Sequence, residues 1–490
     1  MSGGSMFLDP DTCYRIISAR DARYDGRFFT AVTTTGIYCR PICPARIPER
    51  NHVKFYPSAF AAQEHGFRPC LRCRPETAPD TPAWRGTATT IGRALRLIEE
   101  GVLDTGSVEG LAHRLGIGQR HLRRLFLKHV GASPSSVAQT RRLFLAKQLV
   151  HESTMSITDI ALASGFSSVR RFNEAFHALF RRPPSALRSE LGHNGLIKHH
   201  GSIVLKLRYR PPYDWNAISG FMVDRLYLGV ERFEGGVYRR SFALDGQIGI
   251  ISVTKGLGDW LQVEINCQDL KVLPLLLARI RACFDLGADP EAIDTHLKQD
   301  LTLSPLVEAR PGLRVAGAFE PFEIGVRAIL GQQVSVKAAI GLGAQLVAVL
   351  GDKLSRELHS QSGLTHLFPT ATSILASDLS FLGVPASRLM CLKEFSQAYV
   401  EDPTLLTGPP DAVIGRLLAI KGIGPWTAAY IGLRALGDPD AFPFGDVALK
   451  RGLEDLGICF SDLKALNART NSWRPWRAYA AQHIWSSLAS

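Results

Sequence analysis

The stretch "LLAIKGIGPWTAAYIGLRALG", residues 417–437, reads as two apolar helical segments joined by Gly422-Ile423-Gly424. A hairpin that tight turns successive backbone N–H groups toward one point, where they can face a phosphate. Such a unit grips a nucleic-acid strand without reading its bases. "FPFGDVALKR", 442–451, follows and sets Asp446 at a helix start, the position of an N-cap. Upstream, 201–288 alternates polar and apolar residues in runs such as "SIVLKLRYRPPYDW" and "QIGIISVTKG", before the amphipathic "VLPLLLARIRACFDL". That pattern predicts a small α+β domain of antiparallel strands. From 289 to 490 the periodicity is helical.

The N-terminal half carries a different chemistry. "TTTGIYCRPICPAR", 33–46, and "GFRPCLRCR", 66–74, place Cys39 and Cys43 in C-x3-C and Cys70 and Cys73 in C-x2-C. Two close pairs of thiolates can close a tetrahedron around Zn2+. The start "MSGGSMFLDPDTC" lacks a basic end followed by an apolar run, so a cytoplasmic chain is expected, where such pairs hold metal rather than form disulfides. A zinc centre with four thiolates is doubly negative, and Arg40, Arg46, Arg50, Arg68, Arg72 and Arg74 are expected to offset it. Residues 74–90, rich in Pro and Thr, read as a linker.

Beyond the linker the chain repeats itself. "LAHRLGIGQRHLRRLFLKHVGASP" (111–134) answers to "IALASGFSSVRRFNEAFHALFRRPP" (160–184), each a short helix, a turn glycine (Gly116, Gly165) and a second helix with one apolar face. Leu122, Phe126 and Val130 form that face in one unit, and Phe172, Phe176 and Phe180 in the other. A helix over about Val137–His151 joins them. Residues 110–190 hold 13 Lys/Arg against 4 Asp/Glu. Gln119, Arg120, Arg123 and Arg124 lead one second helix; Ser168, Arg170, Arg171 and Asn173 lead the other. These are the positions from which a helix-turn-helix reaches base edges in the major groove. The whole chain, 490 residues at a formal +12 and pI ≈ 9.4, favours a polyanionic partner. No apolar run is long enough to span a bilayer, and no membrane partner is expected.

Three resemblances cover these segments. "FFTAVTTTGIYCRPICPAR" with "FRPCLRC", within residues 8–78, is similar to the N-terminal domain of the Ada adaptive-response regulator. That resemblance implies transfer of a methyl group from a DNA phosphotriester to Cys39, with Cys43, Cys70 and Cys73 as fellow zinc ligands. It also implies tighter DNA binding once the methyl removes one negative charge. The repeated middle resembles the AraC-type DNA-binding domain. Residues 201–487, including "RAILGQQVSVKAA" (327–339) and "WRPWRAYAAQHIW" (473–485), resemble the helix-hairpin-helix DNA glycosylases, and among them the AlkA-type 3-methyladenine DNA glycosylase.

By that last likeness Asp446 is the catalytic carboxylate, and Trp426, Tyr430 and Trp485 line the base pocket. Gly422 and Gly424 shape the hairpin, and Gln333 takes the wedge position, where many relatives carry an apolar side chain. Electron-rich rings would favour a cationic alkylated purine by roughly 0.5–2 kcal/mol per good contact. The superfamily's lyase lysine, two residues after the second hairpin glycine, is replaced by Trp426, which implies hydrolysis without strand cleavage. The cysteines do not supply the C-terminal iron–sulfur cluster of many relatives, nor the Pro-Cys-His-Arg motif of alkylguanine methyltransferases. Cys13, Cys267, Cys283, Cys391 and Cys459 read as ordinary free thiols.

The expected architecture is multidomain: a small α+β zinc domain (1–80), an all-α double helix-turn-helix (87–190), a small α+β domain (201–288), then a mainly α helix-hairpin-helix glycosylase domain (289–490). The expected function joins base-flipping excision of alkylated purines to a methyl-switched transcription factor. Its expected partners are double-stranded DNA and RNA polymerase, and the chain is expected to be a monomer. Two alternatives stand beside it: a glycosylase whose N-terminal half only tethers it to DNA, or a regulator whose glycosylase half is inactive.

Overall fold

The computed structural model describes residues 9–75, 78, 90–190, 202–458 and 463–488. Most of the expected linker and Cys459 lie outside the described residues.

Residues 9–75 build an α+β unit. The helix Pro10–Ala19 starts at Asp9, whose carboxylate accepts from the Asp11 and Thr12 N–H groups. Four short strands follow, β1 (Phe29–Val32), β2 (Ile37–Cys39), β3 (Val53–Tyr56) and β4 (Arg68–Pro69), in the order β3-β1-β2-β4. The decisive contact is the parallel pairing of β2 with β4, Ile37 opposite Arg68 and Tyr38 opposite Pro69. It brings the ends of both strands level, so Cys39 and Cys70 emerge side by side.

The middle is all helical. Val108–Arg114 and Gln119–His129 form one helix-turn-helix, Ile157–Ala163 and Val169–Phe180 the other, joined by the long helix Pro134–Glu152. Both turns need glycine: Gly116 has φ +69° and Gly165 φ +90°. At Gly165 a Cβ would also lie 2.3 Å from an Asp104 oxygen. That Asp104 carboxylate is held by Arg141 of the long helix.

Residues 202–267 form a five-stranded antiparallel sheet: β5 (Ser202–Arg208), β6 (Glu231–Glu234), β7 (Val237–Leu244), β8 (Gln247–Lys255) and β9 (Trp260–Cys267), in the order β5-β9-β8-β7-β6. One face packs on the helix Leu273–Cys283. Edge strand β5 is covered by the end of the long regulator helix: the Glu152 carboxylate accepts from Lys206 N–H, and the Gln148 amide donates to Lys206 O. Covering an edge in this way removes a template for aggregation. The second helix-turn-helix and the sheet share one apolar core, from Leu149, Ile160 and Phe172 to Leu205, Val263 and Leu276.

The C-terminal part is helical. The helix Pro321–Leu330 is locked to the sheet by a buried network in which Glu231 and Glu323 alternate with Arg240 and Arg327. Buried ion pairs add little net stability but tolerate few alternative arrangements. The network fixes the direction in which this helix delivers the Gln332-Gln333 loop.

Candidate active sites: a four-cysteine centre and a clamped aspartate

The sulfurs of Cys39, Cys43, Cys70 and Cys73 all lie within 4.8 Å of one another. Four thiol donors so close, none engaged in a disulfide, fit tetrahedral Zn2+. Cys70 and Cys73 are buried, whereas Cys39 and Cys43 are half-buried and nearer solvent. The surrounding arginines divide. Arg40 is buried, its guanidinium bound to Asp25 and its Nη1 donating to Cys73 O at 3.1 Å, so it braces the centre from behind. Arg50 pairs with Asp11 at 2.9 Å and Arg74 lies 3.6 Å from Glu152. Arg46, Arg68 and Arg72 are exposed and able to meet a phosphate.

On the regulator helices the expected face is open. Arg120, Arg123 and Arg124 are exposed on Gln119–His129, opposite buried Leu122 and Phe126. Arg170 and Arg171 are exposed at the start of Val169–Phe180, whose N-cap Ser168 accepts from Arg171 N–H. Arg170 also pairs with Glu174 at 3.0 Å.

In the C-terminal half the hairpin closes as expected. Gly422 has φ +93°, and a Cβ there would lie 2.7 Å from that of Cys391, so both backbone and space demand glycine. Gly424 is the N-cap of the helix Pro425–Arg434. The Gln332 amide donates to Gly422 O at 3.0 Å and to Thr427 Oγ1 at 3.1 Å, while Arg388 donates to Gln332 O at 2.5 Å. The next residue, Gln333, is exposed and held at φ +53°. It stands at the rim of a groove of about 690 Å³ between Leu342, Leu382 and Pro385.

Asp446 is indeed an N-cap: its Oδ1 accepts from Leu449 N–H at 2.8 Å. It also gathers both tryptophans. Trp485 Nε1 donates to Oδ1 at 2.9 Å and Trp426 Nε1 donates to Oδ2 at 3.0 Å. Three N–H donors from three segments fix the plane of this half-buried carboxylate. Trp426 stacks on Tyr430 with centroids 5.5 Å apart. A purine between two rings needs about 7 Å, two stacking distances, so no base fits between that pair. The candidate slot for a base is the pair left over, Tyr430 and Trp485, whose rings both lie beside the Arg434 guanidinium.

Four family models match successive parts of the chain. They match residues 12–76 (metal binding domain of Ada), 111–190 (helix-turn-helix domain), 204–320 (AlkA N-terminal domain) and 326–478 (HhH-GPD superfamily base excision DNA repair protein). A probable bifunctional transcriptional activator/DNA repair enzyme AlkA of Mycobacterium tuberculosis is 39% identical over 99% of this chain and 97% of its own length. This chain belongs to the Ada–AlkA fusion family. DNA-3-methyladenine glycosylase 2 of Escherichia coli is 32% identical over 57% of the chain and 95% of its own length. The bifunctional activator/repair enzyme Ada of the same organism is 38% identical over 32% of the chain and 43% of its own length. A 3-methyladenine DNA-glycosylase from Archaeoglobus fulgidus shares the fold of the C-terminal half, with a TM-score of 0.51 at 21% identity over 57% of this chain and 97% of that one.

As a member of the Ada–AlkA fusion family the chain is a DNA repair and regulatory protein with a glycosylase half and a set of four cysteines that binds Zn2+. Among the described residues no helix is long and apolar enough to cross a membrane. The structure brings to the candidate site residues that sequence reading missed. Gln332 and Arg388 hold the Gln333 loop to the hairpin. Arg434 lies beside both rings of the candidate slot, its Cζ 5.5 Å from the Trp485 centroid and 5.7 Å from that of Tyr430. Phe221, from the α+β part, stacks on the same guanidinium at 4.2 Å. Trp426, Tyr430 and Arg434 recur every fourth residue along one helix, so Arg434 was legible as the next member of that stripe. Phe221 had no local signal.

Proposed function

We propose that the C-terminal half hydrolyses the N-glycosidic bond of alkylated purines and that the N-terminal half accepts a methyl group from a DNA phosphotriester on Cys39, switching on promoter binding. The glycosylase reading is carried by Asp446, a carboxylate clamped between the indoles of Trp426 and Trp485, with the Gly422–Gly424 hairpin at the start of the helix that carries Trp426. The target nucleotide leaves the stack at a cost of a few kcal/mol. Gln333 fills the gap it leaves, and Gly422 and Gly424 bind the backbone beside it. The base enters between Tyr430 and Trp485. The bond from C1′ to the base nitrogen breaks with its electron pair going to the base, and Asp446 stabilises the cationic sugar. A water oxygen then bonds to C1′ and loses its proton. Trp426 occupies the position a lyase lysine would need, so the product is an intact strand with an abasic site.

The transferase reading is supported by the half-buried Cys39 among three other cysteines, near exposed Arg46, Arg68 and Arg72. Zinc, when bound, keeps the four sulfurs as thiolates. The Cys39 sulfur forms the bond to the methyl carbon, the C–O bond breaks, and the phosphotriester leaves as an ordinary phosphodiester anion. Arg120, Arg123, Arg124, Arg170 and Arg171 then hold promoter DNA, with RNA polymerase as the partner of an activating, monomeric, cytoplasmic protein. Mass analysis of the Cys39 peptide after exposure to methylated DNA tests this half. A gain of about 14 Da, the mass of CH2 in the chemistry of methyl transfer, supports it. An unmodified peptide with zinc retained leaves a structural metal knuckle. Release of free 3-methyladenine, abolished in Asp446→Asn, tests the other half.

A further inference from the structure

A buried guanidinium already lies beside the two rings proposed to hold the base. Arg434 is 2% exposed and forms no ion pair among the described residues. Its acceptors are neutral: Nη1 donates to Ala316 O at 2.9 Å and Nη2 to Gln482 Oε1 at 3.2 Å, while Nε has no partner. Phe221 carries a second guanidinium, that of Arg225, 4.0 Å from its centroid. Asp446, hydrogen-bonded to both indoles, is the carboxylate on hand. The rings of Tyr430 and Trp485, which could welcome a cationic base, therefore already lie 5.7 and 5.5 Å from a fixed positive charge. An empty cation cage would be built the other way.

We propose that Arg434 is the charge-specificity determinant of the base pocket. The inference rests on the glycosylase reading above. Its logic follows from where electrons go when the glycosidic bond breaks. A neutral modified purine departs as an anion before it gains a proton, so a buried cation beside it stabilises the transition state. A cationic alkylated purine departs neutral. The same charge opposes that base while it is bound intact and relaxes as the bond breaks. Arg434 therefore raises kcat and kcat/KM for neutral lesions. For cationic lesions it raises KM and kcat together and leaves kcat/KM nearly unchanged or slightly lowered. Cationic lesions owe their rate to their own weakened bond, and neutral ones depend on this side chain.

The test compares duplexes carrying 7-methylguanine, a cationic lesion, with duplexes carrying hypoxanthine, a neutral one. Wild type, Arg434→Met, Arg434→Lys and Gln482→Glu full-length proteins are assayed for kcat and KM. Gln482→Glu leaves Arg434 packed but places a carboxylate on its Nη2. The cationic-to-neutral ratio of kcat/KM should rise at least tenfold in Arg434→Met and, in the same direction, in Gln482→Glu. It should stay near the wild-type value in Arg434→Lys. KM for 7-methylguanine should fall in the first two. If Arg434→Met fails to fold, Gln482→Glu decides alone. A purely structural role would slow both substrates in proportion, and an unchanged ratio in a folded variant overturns the proposal while leaving the glycosylase intact. Failure of the wild type to release either base would overturn the glycosylase reading and this inference with it.

Discussion

The four-cysteine centre and Asp446 are both anionic groups that must work against a polyanion, and they are held by opposite means. Behind the cysteines lies a charge-on-charge brace, Arg40 bound to Asp25, with both partners almost fully buried. Around Asp446 the partners are neutral: two indole N–H groups and one backbone N–H. An acceptor sulfur has to be presented once. A catalytic carboxylate must return to one orientation after every turnover, and three donors from three segments achieve that without a counter-ion that would cancel its charge. On the roles proposed above, the group that must act at every turnover is the one held by three donors from three segments.

The sharpest way to break that comparison is to exchange the losses. Cys39→Ser should abolish the methylated peptide and leave 3-methyladenine release within about twofold. Asp446→Asn should lower release by about 10²–10⁴-fold and leave methyl transfer intact. Mass spectrometry and free-base release on the same two proteins give the answer. If either variant lost both activities, the centres would not be independent. Metal removal comes next. A structural zinc site contributes about 10–16 kcal/mol of apparent binding energy to folding. Chelation should therefore release residues 9–75 to proteolysis while the core that joins the second helix-turn-helix to the five-stranded sheet stays protected.

A smaller effect probes the clamp itself. Trp485→Phe keeps the ring against the slot but removes the donor to Oδ1. A hydrogen bond to a charged group is worth about 1.5–3 kcal/mol, which corresponds to roughly a 10–150-fold fall in kcat. Trp426→Phe should cost a similar factor through Oδ2. KM should move far less in both, because the donors orient the carboxylate rather than bind the base. A change confined to KM would mean that the tryptophans serve as pocket walls alone.

How much of this was readable in the chain depends on the range of the interaction. The cysteine pairs, the turn glycines Gly116 and Gly165, and Gly422 of the hairpin are local demands of backbone and spacing, and each is visible in a few residues. That antiparallel strands lie within 201–288 followed from period-two alternation; that they are five in the order β5-β9-β8-β7-β6 did not. Partnerships across the fold were not readable. Arg40 was legible as a positive charge near Cys39, but its burial against Asp25 depends on a loop 15 residues earlier. Asp446 was legible as an N-cap and as a catalytic aspartate. That the N-cap also carries indoles from 20 residues before and 39 after on its two oxygens is decided by packing. Phe221 and Arg434 meet only because the ion network of Glu231, Glu323, Arg240 and Arg327 docks the sheet on the helical part.

An effect on stability rather than on rate concerns the helix that carries Trp485. His483, two residues before it, is 2% exposed, and burial pushes its imidazole down to about 4 from the ordinary 6.5. The neutral form is the one the fold accepts. Above pH 6.5 neither state carries the proton and the group is silent. As pH falls through 6.5 the unfolded chain takes up a proton that the folded one refuses until about pH 4. Stability is therefore lost by about 1.4 kcal/mol per pH unit across that window, about 3 kcal/mol in all. Other groups titrate there too: Asp285, raised to about 6 by burial, acts in the opposite sense. They cancel in the difference between His483→Leu and wild type, which should widen in favour of the variant by about 3 kcal/mol from pH 7 to pH 4 in urea unfolding. A difference independent of pH would mean that the imidazole is solvated, and that the Trp485 helix is less firmly seated under the Asp446 clamp than its burial indicates.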